Sequence, residues 1–398
     1  MIRINKYKLW IIMLICLQTS FFDLAEDLTN WALLAILLFD IYILVSEKKF
    51  IYSTRKNGEF AYWFIALVIA YFVSSIIGSY RFGSSVVENL YSSRGVFICT
   101  LSYFALNKLF KAGRLVTEDL EDIIRKIASF QLIVYYIQFI LKDNIIFTHA
   151  LVGNRYGSSR FYFDIGLIVI MFFLCLNNVI AGKKNVINII YMVAIIFEIV
   201  MINQYRMSTI SVLAAGVIVF IISKGKTRRK FALIPILILA WYILAGTNLY
   251  QDTMRSIFVA DESGSLTGRS AFIRWTLNNI FIEHHYFGMG LITNQEGISF
   301  ANNNIFNHYY IGDHGIWSLL FELGILIAVL WIWLIVLLIR KAKNNINVSH
   351  HSFFYGYAIF ILINSYSENY WFLLFGLFNL SMVLLMAQYG WNEGRELI

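Results

Sequence analysis

Apolar stretches close to the ~20 residues a helix needs to cross a bilayer recur from one end of this chain to the other. No other feature narrows its possible folds as far. They fall at roughly 8–23, 28–46, 60–79, 95–110, 122–141, 161–181, 186–202, 206–223, 231–246, 314–339, 352–367 and 370–388. In lipid a single segment must satisfy its own backbone groups, which leaves the α-helix. The expected fold is therefore an all-α polytopic membrane protein of about 12 transmembrane helices, with residues 1–398 forming one transmembrane bundle. Composition supports this: 14% of residues are charged, where a soluble globule carries about 25%, and mean hydropathy is +0.67. The chain has one proline, Pro235, so a break elsewhere must rest on glycine or polar residues. Cys16, Cys99 and Cys175 all lie in apolar runs, which predicts no disulfide framework. Arg3, Lys6 and Lys8 precede the first run, but Phe21, Phe22 and Asp23 follow it in place of a small-residue cleavage site. That run is expected to be a retained helix.

Charge sets the expected orientation. With the amino terminus in the cytoplasm, 23 of the 32 lysines and arginines fall in inside loops. Nine fall outside: Arg81, Arg94, Lys142, Arg155, Arg160, Arg206, Arg255, Arg269 and Arg274. This follows the positive-inside rule and puts both termini in the cytoplasm. It also explains the net charge of +8 as topology, so no nucleic-acid partner is implied. Eight of the nine outside residues are arginine, whose planar fork suits phosphate or carboxylate, and this points to an anionic ligand at the outer face. The acidic run Glu118, Asp119, Glu121 and Asp122 suits a helix N-terminus.

One long interruption breaks the apolar pattern, an outer loop at 247–313. Between Gly268 and His285, the residues Ile273, Leu277, Ile280, Phe281 and His284 recur with helical spacing and predict an amphipathic helix before the tenth span. Arg269 lies one turn before Ile273. Arg274 is about 140° round from Arg269, so the two do not share a face. The Tyr-Phe-Gly-Met-Gly run is expected to end this helix at Gly288 or Gly290. Further on, Asn304 and Asn307 lie among Tyr309 and Tyr310, amides beside aromatic faces that suit a sugar ring as well as they suit an interfacial loop. Asp313 and His314 sit at the mouth of the tenth span, where Asp313 can cap the helix or act as a base. Glu322 falls within that span and must face protein or a wet cavity. Arg206 opens the eighth span, and either snorkels to the interface or binds an anion. Glu283, His284, His285 and His308 make a poor zinc set, since adjacent histidines on a helix point apart and no HExxH is present.

These residues together carry a resemblance. The Arg-Met-Ser-Thr start at Arg206, the loop helix with Gly268-Arg269 and Arg274-Trp275, the turn Phe287-Gly288-Met289-Gly290, and the Glu322-Leu323-Gly324 segment resemble the O-antigen polymerase and O-antigen ligase superfamily, of the Wzy type. The resemblance implies a metal-independent glycosyltransferase without cofactors, in a bacterial cytoplasmic (inner) membrane. Its substrates would be undecaprenyl-diphosphate-linked glycans, and a flippase and chain-length regulator proteins would be its candidate protein partners. It implies diphosphate-binding roles for Arg206 and Arg269, and less directly Arg274. It implies catalytic roles among Asp313, His314 and His308, with no choice made between them. Ligases carry His-Asn where this chain has Asp313-His314, and this departure points to a polymerase of lipid-linked repeat units. The alternatives are a ligase moving the finished glycan to another acceptor, and a lipid-linked oligosaccharide flippase.

Overall fold

The computed structural model describes residues 5–23, 25, 27–46, 58–141, 152–155, 158–183, 185–223, 265–293, 314–344, 350–368, 371 and 375–390. Helices carry nearly all of them: α1 (Lys6–Gln18), α2 (Thr29–Ser46), α3 (Glu59–Phe82), α4 (Val86–Ser92), α5 (Arg94–Lys111), α6 (Thr117–Leu141), α7 (Gly166–Ala181), α8 (Asn185–Phe197), α9 (Arg206–Ile222), α10 (Ser265–Phe281), α11 (Ile316–Leu323), α12 (Ile325–Asn344), α13 (His351–Asn364) and α14 (Gly376–Tyr389). Four of these, α2, α3, α6 and α12, are long and apolar enough to cross a membrane, and shorter apolar helices accompany them. The chain is a helical membrane protein. The expected ninth span, 231–246, lies outside the described residues.

The exposed apolar residues show why lipid is required. On α2, Trp31, Leu34, Leu38, Ile41 and Val45 follow one another at helical spacing on an exposed face. Ala32, Leu33, Ile36, Phe39 and Ile43 are buried on the opposite face. On α12, Val329, Ile332 and Val336 form the same kind of stripe. A helix that is apolar on both its packed and its open face is at home in hydrocarbon, not water. Around the core, α2 packs on α5, α5 on α14, α9 and α12 on α13, α7 on α6, α8 and α13, and α3 on α12.

Three elements depart from the expected pattern. The tenth run is not one helix: Gly324, at φ +66° and ψ −154°, breaks it into α11 and α12. With no proline there, glycine alone gives the chain access to that conformation. The first helix stops at Gln18, and Ser20, Phe21 and Phe22 turn with left-handed φ of 46°, 54° and 62°. Before α7 the chain forms a two-stranded antiparallel hairpin, β1 (Val152–Arg155) and β2 (Ser158–Phe161), the one sheet among the described residues. The acidic run at the start of α6 does cap and pair: Asp119 accepts from the Val116 amide at 3.2 Å, Glu121 pairs with Arg125 at 2.9 Å, and Asp122 with Lys126 at 2.8 Å.

Candidate functional site

A helix that ends inside a membrane protein leaves its last carbonyls without intrahelical partners. At the Gly324 break these carbonyls are used. The amides of Met289 and Gly290 donate to Phe321 O and Glu322 O at 2.7 and 3.1 Å. The Leu291 amide donates to Ser74 O in α3 at 3.2 Å, and the Ile325 amide, at the start of α12, donates back to Tyr286 O at 2.9 Å. Ser74 Oγ donates to Glu322 O at 2.8 Å. Residues 286–291 are thus a strap across α3 and the break. The contact is backbone on backbone: a Cβ on Gly290 would collide with Gly78 N and Cα, and one on Gly78 would lie 2.5 Å from Leu291 O. Asn89 of α4, fully buried, ties the edge by donating to Ser75 O at 2.9 Å and accepting from Thr293 Oγ1. The side chain of Glu322 is buried at 5% exposure, and so faces protein rather than lipid.

The strap holds α10 against the bundle. Its buried face is Phe272, Thr276, Asn279 and Ile280, rotated one residue from the expected face of Ile273, Leu277, Ile280, Phe281 and His284. Phe281 is 56% exposed and His284 is exposed with φ +59°, because the helix ends at Phe281 and not at the glycines. Aromatic stacking decides the rotation. Phe272 lies on the His314 ring with centroids 4.2 Å apart, and Trp275 on Phe321 at 4.7 Å. Of the expected stripe, Ile280 packs inward, while Ile273 and Leu277 form a half-buried flank.

His314 leads into α11, whose start crosses the turn that follows α13. The Ile316 amide donates to Ser365 O at 2.7 Å, and a Cβ on Gly315 would strike the backbone of Ser365, Tyr366 and Ser367. The Ser365 hydroxyl is the hub of that turn: it accepts from Trp331 Nε1 at 3.1 Å and Trp371 Nε1 at 2.6 Å, and donates to Ile361 O at 2.6 Å. From the same turn Glu368 reaches α9. Its Oε2 accepts from Ser208 Oγ at 2.6 Å and from Asn364 Nδ2 at 3.0 Å. Ser208 stands in the first turn of α9, two residues after Arg206, which is half-buried. The elements that carry Arg206 and His314 therefore meet at one turn, residues 364–368, and α10, which carries Arg269, joins them through the Phe272–His314 stack.

The candidate residues fare unequally. Arg206 and Arg269 lie on α9 and α10; for Arg269 the description stops at its place in the helix, three residues before Phe272. Arg274 is exposed, on the open side of α10. His314 is buried at 9% exposure beneath Phe272, the environment of a packing residue. Asp313, His308, Asn304, Asn307, Tyr309 and Tyr310 lie outside the described residues.

Several of the arginines expected on the outer side have structural uses. Arg94 donates to Asn30 Oδ1 at 2.7 Å and lies over the Tyr91 ring. Arg160 donates to Asn203 O at 2.8 Å and lies over Tyr162 and Tyr205. Asn203 ends a π-helical turn, Glu198–Ile202, and pins the hairpin to it: its Nδ2 donates to buried Glu198 at 2.6 Å and its Oδ1 accepts from the Phe163 amide at 3.0 Å. Sequence reading missed Glu368, Asn203 and Glu198, whose partners are set by tertiary packing or by an irregular turn.

Arg81 Nη2 lies 2.8 Å from His285 Nδ1. A guanidinium only donates, so that nitrogen accepts and the ring is neutral. Burial, and then the charge of Arg81, hold the His285 pKa below its ordinary value, with Glu283 opposing. A lowered folded value means that this contact contributes fully above the ordinary histidine range near pH 6.5, and loses its contribution as pH falls through the lowered value. Thermal unfolding in detergent should show a flat midpoint from about pH 8 to 7 and a fall below about pH 6. His285→Gln should flatten that acid limb; an unchanged limb would place its source elsewhere.

Compared with known proteins, the chain matches no protein-family model, no curated protein and no solved structure.

Proposed function

We propose that the protein is a polysaccharide polymerase. It joins undecaprenyl-diphosphate-linked repeat units by metal-independent glycosyl transfer at the outer face of a bacterial cytoplasmic membrane. In this reading the protein has about twelve spans and both termini are cytoplasmic. A hydroxyl of one lipid-linked unit attacks the anomeric carbon of another, and the lipid diphosphate leaves. Arginine forks stabilise the charge that develops on the diphosphate, at roughly 1.5–3 kcal/mol for each charge-assisted hydrogen bond.

The observation that carries the reading is the run of contacts from α9 through the 364–368 turn to the start of α11, and from His314 to α10 through its stack with Phe272. These are the three elements on which the resemblance relies for Arg206, Arg269 and the Asp313-His314 pair. Deleting the gene and sizing the glycan tests it. Single repeat units attached normally are the expected result. Long lipid-linked chains left unattached would mean a ligase, and repeat units trapped in the cytoplasm would mean a transporter.

A further inference from the structure

The turn that links α9 to α11 has buried polar groups without partners among the described residues. Asn364 is fully buried, and its Oδ1 has no hydrogen-bond partner among the described residues. Ser367 is 2% exposed, and its hydroxyl is likewise without a partner among them. So is Nε1 of Trp317, which stands edge-on to Tyr366 at 6.4 Å. Native proteins leave few buried polar groups unpaired, because each costs about 1–3 kcal/mol. Here an amide acceptor, a hydroxyl and an indole donor are left open on adjoining elements. Beside them are a half-buried carboxylate, Glu368, and an aromatic ring, Tyr366, that is 57% exposed. Acceptors, donors and an open aromatic face are the complement of a sugar, which has hydroxyl edges and an apolar face.

The carboxylate is held as a base must be. Ser208 and Asn364 both donate to Oε2 of Glu368, which fixes its orientation. Asn364 Nδ2 also reaches Ser208 Oγ at 3.2 Å, closing a three-residue ring. Both of these bonds fall on Oε2, and Glu368 is half-buried. A carboxylate oriented through one oxygen keeps the lone pairs of the other for a proton. His314 is less suited, since its ring is stacked beneath Phe272.

We propose that the Asn364–Glu368 turn, with Trp317, holds the acceptor sugar, and that Glu368 is the base for glycosyl transfer. This rests on the polymerase reading above. The acceptor oxygen forms the new bond to the donor's anomeric carbon. The bond from that carbon to the diphosphate oxygen breaks, and its electron pair leaves with the lipid diphosphate. The hydroxyl proton passes to the Glu368 carboxylate, which returns it to water before the next cycle. The donor diphosphate lies toward Arg206, on the helix to which Glu368 is tied through Ser208.

The test uses the full-length protein in proteoliposomes, supplied with lipid-linked repeat units extracted from the deletion strain. Glu368→Gln should lower kcat at least 100-fold, within the 10²–10⁴ range of general-base catalysis, with protein level and thermal midpoint unchanged. Glu368→Asp, which keeps the charge and shortens its reach, should restore a measurable part of kcat. Ser367→Ala should raise KM several-fold with little change in kcat. If Glu368→Gln and Glu368→Asp both polymerise at the wild-type rate, or lose activity only in proportion to lost folded protein, the assignment is overturned while the polymerase reading stands. Wild-type protein that joins no units overturns that reading and this proposal together.

Discussion

Replacing Gly290 with alanine is expected to leave little folded protein in the membrane. Gly290 has φ +91°, and a methyl group there would overlap Gly78 N and Cα and approach Ile77 C within 2.8 Å. These are backbone atoms in the last turns of α3 and cannot rotate away, as the end of a long side chain could. Left-handed strain and overpacking each cost roughly 1–3 kcal/mol. Their sum, on the order of 2–6 kcal/mol, is a large part of the 5–15 kcal/mol that holds a typical domain folded. Relief by moving the strap would break the amide bonds to Phe321, Glu322 and Ser74, and expose orphan carbonyls at the Gly324 break. Gly113→Ala is the internal control. It has φ +67° but nothing within 4 Å of the added carbon, so only the strain of about 1–2 kcal/mol should appear. Accumulation in membranes and thermal midpoints in detergent measure both. Equal losses at Gly290 and Gly113 would mean that the strap is not a close backbone contact.

Arg206→Lys is the second large expected effect, and it is one of activity. The residue opens α9 with no side-chain cap, and Glu368 is tied to Ser208 in the same first turn. Lysine keeps the charge but loses the planar fork that binds two phosphate oxygens at once. Loss of one charge-assisted bond is worth roughly 1.5–3 kcal/mol, so chain elongation should fall at least tenfold with normal protein level. Arg269→Lys is expected to act alike. Chain length on a gel, normalised to membrane protein, gives the answer. An unchanged length distribution would remove that arginine from the site.

Helix placement was largely legible because a lipid-facing helix must be apolar over most of its surface, and α2, α3, α6 and α12 carry that pattern in their residues. The Phe287–Gly290 turn and Gly324 were also visible as punctuation. Their mutual contact was not, because Gly78 lies in an unremarkable apolar run some two hundred positions away. The rotation of α10 was misread for a related reason. Its periodicity marked the apolar flank, whereas the face that packs includes Thr276 and Asn279. The excess of outer arginines pointed to an anionic ligand, yet Arg81, Arg94 and Arg160 have partners within the fold. Glu368 could not be found from its neighbours in Ser-Tyr-Ser-Glu-Asn. Its hydroxyl partner, Ser208, is 160 residues away.

The most direct test of the central claim is polymerisation by the purified protein alone. Proteoliposomes holding the full-length chain and lipid-linked repeat units from the deletion strain should form a ladder of longer lipid-linked glycans, with free undecaprenyl diphosphate released in step with each bond. Repeat units that remain single, with no diphosphate released, in vesicles whose protein is folded by thermal unfolding, would contradict it.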